Sequence, residues 1–303
     1  MKVTIDLDRL LEEGKISQAE HAKFSEFAAR GTSQLVFNIL VGFGVVAVSG
    51  GILALLPTTV TAITLGLTIC AAGLVLMSAR IEQWTLLANI CILVGALLLG
   101  AGVIKTGEGS VGSFLLVSAA FAAAGIISRS SLLSVLAVLS LSSCLGTRTG
   151  YLHATYFLGV QEPAATTAVF TIFSFVTYKL SKHLSTDYER LAIVASRASV
   201  FLVNFGFWIG SLWGDHIGGG VTISAQFFAL LWAIGLIAVG AWAWHRNLRW
   251  LINVVATFGA IHFYTQWFER LGASAETVLL AGLLALGFAV ALRNLNLKLS
   301  KAA

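Results

Sequence analysis

The stretch LAIVASRASVFLVNFGFWIGSLWGDHIGGG, residues 191–220, opens with a run, 191–213, that carries one charge, Arg197. As a helix this run is about 35 Å long, enough to cross a hydrocarbon core of roughly 30 Å. At about 100° per residue, Arg197, Asn204, Ser211 and Asp215 fall in one narrow arc, and Gly206 points to the opposite side. The glycines at 206, 210, 214 and 218 stand four apart, so their stripe rotates by about 40° at each step. Gly206 and Gly210 therefore share a face on which a neighbouring helix can approach closely, whereas residues 218–220 read as a turn. One face is polar and another is small. Neither suits lipid, so the spacing predicts a central helix of a membrane bundle.

Composition extends this reading to the whole chain. Of 303 residues, 57% are hydrophobic and 11% charged, and the mean hydropathy is +0.89; a soluble domain carries roughly 25% charged residues. Two Pro beside 30 Gly fit helices packed through small residues better than strands. Cys70, Cys91 and Cys144 lie in apolar runs without a Cys-x-x-Cys pair. They read as small hydrophobes, not as a disulfide framework, and no metal or cofactor is expected.

Ten apolar runs can be marked, at 35–56, 60–79, 84–104, 111–128, 131–145, 164–180, 191–213, 226–244, 250–268 and 276–292. The fifth is short and serine-rich, which leaves a count of eight or nine open. With the N-terminus inside and ten crossings, only Lys105, Arg148 and Arg270 of the 19 Lys and Arg fall outside. That asymmetry follows the positive-inside rule and places both termini in the cytoplasm. The net charge of +5 is therefore topology, and no nucleic-acid partner is expected. The expected fold is an all-α polytopic transmembrane bundle of about ten spans, residues 34–303, in a bacterial inner membrane. A duplication of the bundle into halves 35–146 and 163–292 is the sharper reading of its roughly 50-residue basic recurrence.

Residues 1–33 precede the bundle. Leu7, Leu10 and Leu11 have helical spacing up to Gly14, and Ser17 with Glu20 forms a capping box that opens a second helix. A short cytoplasmic helical hairpin follows, either a lead-in on the bilayer surface or a docking element for a protein partner through residues 1–30. This hairpin, LLEEGKISQAE at 10–20, together with the ending YTQWFERLGASAETVLLAGLLALGFAVALRNLNLKLS at 264–300, resembles the prokaryotic membrane-protein family called domain of unknown function 2157. The resemblance implies a bacterial membrane location and carries no activity or functional residue with it.

Catalytic signatures are absent: the chain has no Walker loop, His-Glu-x-x-His or Gly-x-Ser-x-Gly, which excludes an ATP-driven pump from this chain alone. Polar residues within spans are costly and so carry the information. Thr167, Thr171, Ser174 and Tyr178 line one face of the sixth run and meet the polar arc of the seventh. Thr171, Ser174, Arg197, Asn204, Ser211 and Asp215 are thus candidates for a polar seam carrying a small solute or ion. The alternative is interhelical hydrogen bonding alone. Toward the outer side gather His153, Glu162, His216, His262 and Glu269, a set suited to proton exchange, His262 standing equally as a hydrogen-bonded core histidine. No Asp or Glu lies deep in a span, which argues against proton-coupled antiport. A transporter or channel is the expectation. A non-catalytic accessory or scaffold protein is the alternative, and an enzyme acting on a lipid-linked substrate, resting on the outer set, is the third reading.

Overall fold

The computed structural model describes the backbone of residues 7–79, 81, 84–152, 155–217 and 220–301, and the side chains of these except at 22, 25–35, 147–159, 216–221, 292 and 295–301. Each of the ten apolar runs is helical. A short α1 (Leu7–Glu12) precedes α2 (Gln18–Leu55), α3 (Thr59–Ser78), α4 (Thr85–Thr106), α5 (Val111–Ser128) and α6 (Ser131–Ser143). The strands β1 (Thr147–Leu152) and β2 (Thr155–Val160) lead to α7 (Pro163–Ser181) and α8 (Thr186–Trp213). After β3 (Asp215–Ile217) and β4 (Gly220–Ile223) come α9 (Ala225–His245), α10 (Arg249–Leu271) and α11 (Ala275–Lys301).

Among the described residues six helices are long and apolar enough to cross a membrane: α2 over Val36–Leu55, α3, α4, α5, α8 and α9. By that measure the count falls short of ten, for physical reasons. The 13 residues of α6 rise only about 20 Å. Threonines and serines dilute α7, while Asn253, His262 and Gln266 dilute α10. Large apolar side chains face outward, with Phe43 71%, Leu55 82% and Ile237 73% exposed. Exposure on that scale suits lipid and would be an aggregation hazard in water.

Two antiparallel hairpins interrupt the expected all-α chain, β1 with β2 from Thr147↔Val160 and β3 with β4 from Asp215↔Ile223. The strands TRTGYL and TYFLGV are rich in Thr, Tyr and Phe, which favour a pleated backbone. Gly218 and Gly219, expected to form a turn, lie outside the described residues.

The chain forms two compact units, Met1–Ala137 and Val138–Ala303. In the first, Gly14 ends α1 at φ 67° in the left-handed region. The capping box of α2 is present: the Glu20 N–H donates to Ser17 Oγ, and the Ser17 N–H to the Glu20 carboxylate at 2.8 Å. The Ser17 N–H first, and then the Ser17 hydroxyl, which also donates to the carboxylate at 2.8 Å, hold the Glu20 carboxyl below the usual range. From this cap α2 runs on without a break, so the second hairpin helix and the first apolar run are one rod of 38 residues. The tightest packing joins α3 to α4 through Gly66, Gly73, Gly95 and Gly102. A Cβ on Gly95 would lie 2.5 Å from the Cys70 backbone nitrogen, and one on Gly66 2.5 Å from that of Leu99. Ile92, Ala96, Val117, Phe121 and Leu133 form the core of this unit.

In the second unit α7 packs along α8, and α8 packs on α9. Val138, Phe170 and Leu202 make one core cluster; Trp232, Val254 and Phe258 make another.

Candidate functional site

The site is built on α7 to α10, and its first contact is a pair of serines. Ser174 and Ser196 approach to 3.0 Å between hydroxyls, Ser196 also donating to the Ser174 carbonyl at 2.9 Å. Thr171 donates to the Thr167 carbonyl and Thr167 to that of Ala164, within α7. These hydroxyls are satisfied within the protein, but α8 meets α7 through Ser196 and Gly206 and not through the predicted arc, whose Asn204 bonds Trp232 of α9 and whose Arg197 stacks on Trp250 of α10. Gly206 and Gly210, expected to serve one neighbour, serve two: an added Cβ would meet Thr167 Cγ2 of α7 at 2.8 Å from Gly206 and Phe228 of α9 at 2.6 Å from Gly210.

Asn204 is 8% exposed and links three helices into one network. Its amide donates to the Val200 carbonyl at 2.8 Å, and its oxygen accepts from the Trp232 indole N–H at 3.0 Å. The His262 ring stands edge-on to Trp232, with centroids 5.0 Å apart. His262 Nε2 lies 2.9 Å from the Ala229 carbonyl, an acceptor only, so Nε2 carries the proton. Further along α8, Trp208 donates to Thr265 Oγ1 of α10 at 2.9 Å.

Beside the seam lies a cavity of about 810 Å³. Thr171, Ser174, Arg197 and Asn204 line it, four of the six residues selected from the sequence. The Arg197 guanidinium stacks over the Trp250 ring at 4.8 Å, and Arg249 and Asn247 stand at the same end. The rest of the wall is apolar and aromatic, including Val203, Phe207, Leu236 and Trp242.

Ser211 and Asp215 lie outside this wall. Ser211, 7% exposed, donates to the Trp208 carbonyl at 2.7 Å. Asp215 was expected on the polar arc of the helix, but α8 ends at Trp213. Gly214 caps it at φ 72°, where a Cβ would also strike the Ile223 carbonyl at 2.6 Å. Asp215 therefore sits in β3, 5% exposed, with its carboxylate accepting from the Ala164 N–H at 3.3 Å. The negative charge rests on the N-terminus of α7, where the helix dipole favours it. Glu162, the residue at the N-cap position, makes no side-chain cap there.

The outer ionisable set is dispersed among the described residues. Glu162 is exposed at the start of α7, and Glu269 is exposed near the end of α10. Glu269 borders a second cavity of about 590 Å³ with Trp208 and Thr265. His153 lies outside the described residues, as does the side chain of His216. Among the described residues no three His, Cys, Asp or Glu come together as a metal set.

Sequence reasoning missed Ser196, Trp232 and Trp250. A signal existed for Trp232: an indole N–H in an apolar run needs an acceptor, and Asn204 offers one. Comparison of the chain with protein-family models, curated proteins and solved structures finds no match.

Proposed function

We propose that the chain is a multi-pass protein of a bacterial inner membrane, with both termini cytoplasmic, that carries a small solute through the cavity of α7 to α10. The membrane character rests on the six apolar helices, and the distribution of Lys and Arg supports the orientation. The resemblance of the N-terminal hairpin and last helices to the domain of unknown function 2157 supports the bacterial setting. The observation that carries the transport reading is the cavity itself. Its volume of about 810 Å³ lies in the roughly 300–1,000 Å³ range of ligand sites, and Arg197, a charge in an apolar run, stands in its wall. The solute rests beside the α7 and α8 seam, because the seam's own hydroxyls are paired.

The test is cysteine accessibility in proteoliposomes. Cys70, Cys91 and Cys144 are replaced by Ala, and Val203→Cys is introduced in the cavity wall. A membrane-impermeant thiol reagent added to one side at a time is expected to modify the new thiol from both faces. Modification from one face alone would leave a binding pocket without passage, and none from either would remove the cavity from function.

A further inference from the structure

The cavity is polarised along its length. On α8 its wall runs from Ile193 to Phe207, a rise of about 21 Å. Two cations stand toward one end of that length: Arg197, a turn from Ile193, and Arg249 at the start of α10, with the neutral Asn247 just past the end of α9. Among the described residues no Asp or Glu lines the wall. An anion is therefore favoured at this end, and Arg197 is prepared for it, since stacking on Trp250 holds the guanidinium plane while leaving its N–H edge to bond.

The remainder of the wall asks for a different chemistry. The Thr, Ser and Asn side chains there are already engaged: Thr171 with Thr167, Ser174 with Ser196, Asn204 with Val200 and Trp232. Beyond the Tyr178 hydroxyl, what is left for a ligand is mainly aliphatic and aromatic surface. At roughly 30 Å³ per water-sized group, a space of about 810 Å³ holds one long acyl chain and not two. Phe175, Val239 and Trp242 in the wall are 62%, 40% and 47% exposed, so the cavity opens on the apolar flank of the bundle.

We propose that the cavity binds a single-chain anionic amphiphile, its head on Arg197 and its chain along α8 toward Phe207. This rests on the reading of the cavity as a solute site and names the solute's class. Two sources share the chemistry, a fatty-acid carboxylate and the phosphate of a lysophospholipid.

The experiment measures equilibrium binding of radiolabelled palmitate to the full chain in nanodiscs. Lysophosphatidic acid, hexadecanol and inorganic phosphate serve as competitors. Palmitate is expected to bind and hexadecanol to compete at least about tenfold more weakly, the scale of a lost charge-assisted hydrogen bond. Lysophosphatidic acid competing better than unlabelled palmitate assigns the head as phosphate, and the reverse order assigns it as carboxylate. Arg197→Gln should weaken both anions about tenfold and leave hexadecanol unchanged, with Arg197→Lys recovering part of the loss. Leu236→Trp, which keeps Arg197 and fills the body of the cavity, should weaken all three amphiphiles. Equal binding of hexadecanol and palmitate with no effect of Arg197→Gln would overturn the proposal, as would inorganic phosphate competing as well as the amphiphiles. If Val203→Cys is labelled from both faces but palmitate fails to bind, the ligand class falls and the transport reading stands. If labelling fails as well, both fall.

Discussion

Asn204 shows what one polar residue does in an apolar helix. Its amide uses both ends, bonding its own helix at Val200 and the buried Trp232 of α9. Bonds between membrane helices contribute about 0.6 kcal/mol on average and up to roughly 1.7. Trp232 is 2% exposed, which keeps water from replacing the bond. We therefore expect a coupling of about 1 kcal/mol between Asn204→Leu and Trp232→Phe in a double-mutant cycle, read by detergent-induced unfolding of the full chain. Strictly additive effects would mean the bond contributes nothing. Spacing along one run was enough to select Asn204, but its arc turns toward α9 and α10, and the small face at Gly206 is the one that meets α7. Spacing could not select Trp232, because periodicity orders the faces of one helix and is silent about which residue of another helix stands opposite. Asp215 failed for a legible reason: Gly214 lies immediately after the last apolar residue, where a helix commonly stops, yet its four-residue spacing made it look like one more step of the stripe.

Between elements, the glycines that matter most are spaced by seven. Gly66 and Gly73 on α3 face Gly95 and Ala88 on α4, and Gly102 continues the same seam against Ile63 and Ala62. A seven-residue step drifts by only about 20°, so these positions stay on one seam, whereas the four-residue series at 206 and 210 divides between α7 and α9. That spacing was open to reading from the sequence and was passed over for the denser four-residue pattern. Ala in place of Gly raises helix propensity by about 1 kcal/mol where there is room. Room exists at Gly51, with nothing within 4 Å of an added Cβ, and is lacking at Gly95, where the obstacle is backbone at 2.5 Å. Gly95→Ala should therefore destabilise the chain by about 1–3 kcal/mol through overpacking, and Gly51→Ala should leave it unchanged or slightly stabilised. Thermal unfolding of the two variants in the same detergent tests the contrast. Similar Tm values would mean that α3 and α4 part at little cost.

At the scale of the molecule the open quantity is how many helices cross, and hydropathy and packing give different counts. Hydropathy admits α8 and α9 from the second unit. Packing sets α7 and α10 beside them along most of their length. Asp215, just past the end of α8, bonds the first turn of α7, and Ser196 in the first half of α8 bonds Ser174 in the second half of α7. A helix so paired runs antiparallel to α8 and reaches the same two levels. α10 reaches the same two levels but runs parallel to α8: Arg197 stacks on Trp250 at its start, and Trp208 bonds Thr265 toward its end. Tyr264 then bonds the Ala281 carbonyl of α11, bringing that helix alongside α10. Helices that line a cavity or a polar seam carry the residues that lower hydropathy, so α7 and α10 score as too polar for the reason that makes them central. The two counts differ at residue 274, between α10 and α11. With the N-terminus inside, as proposed, residue 247 is cytoplasmic under both counts; crossing by α10 then puts residue 274 outside, and without that crossing it stays on the side of residue 247. Ser274→Cys in a chain whose native cysteines are replaced by Ala should be modified by an impermeant reagent added outside intact cells, and Asn247→Cys only after the membrane is opened. Protection of both thiols in intact cells would remove the α10 crossing, and with it the membrane-spanning wall that the proposed solute path requires.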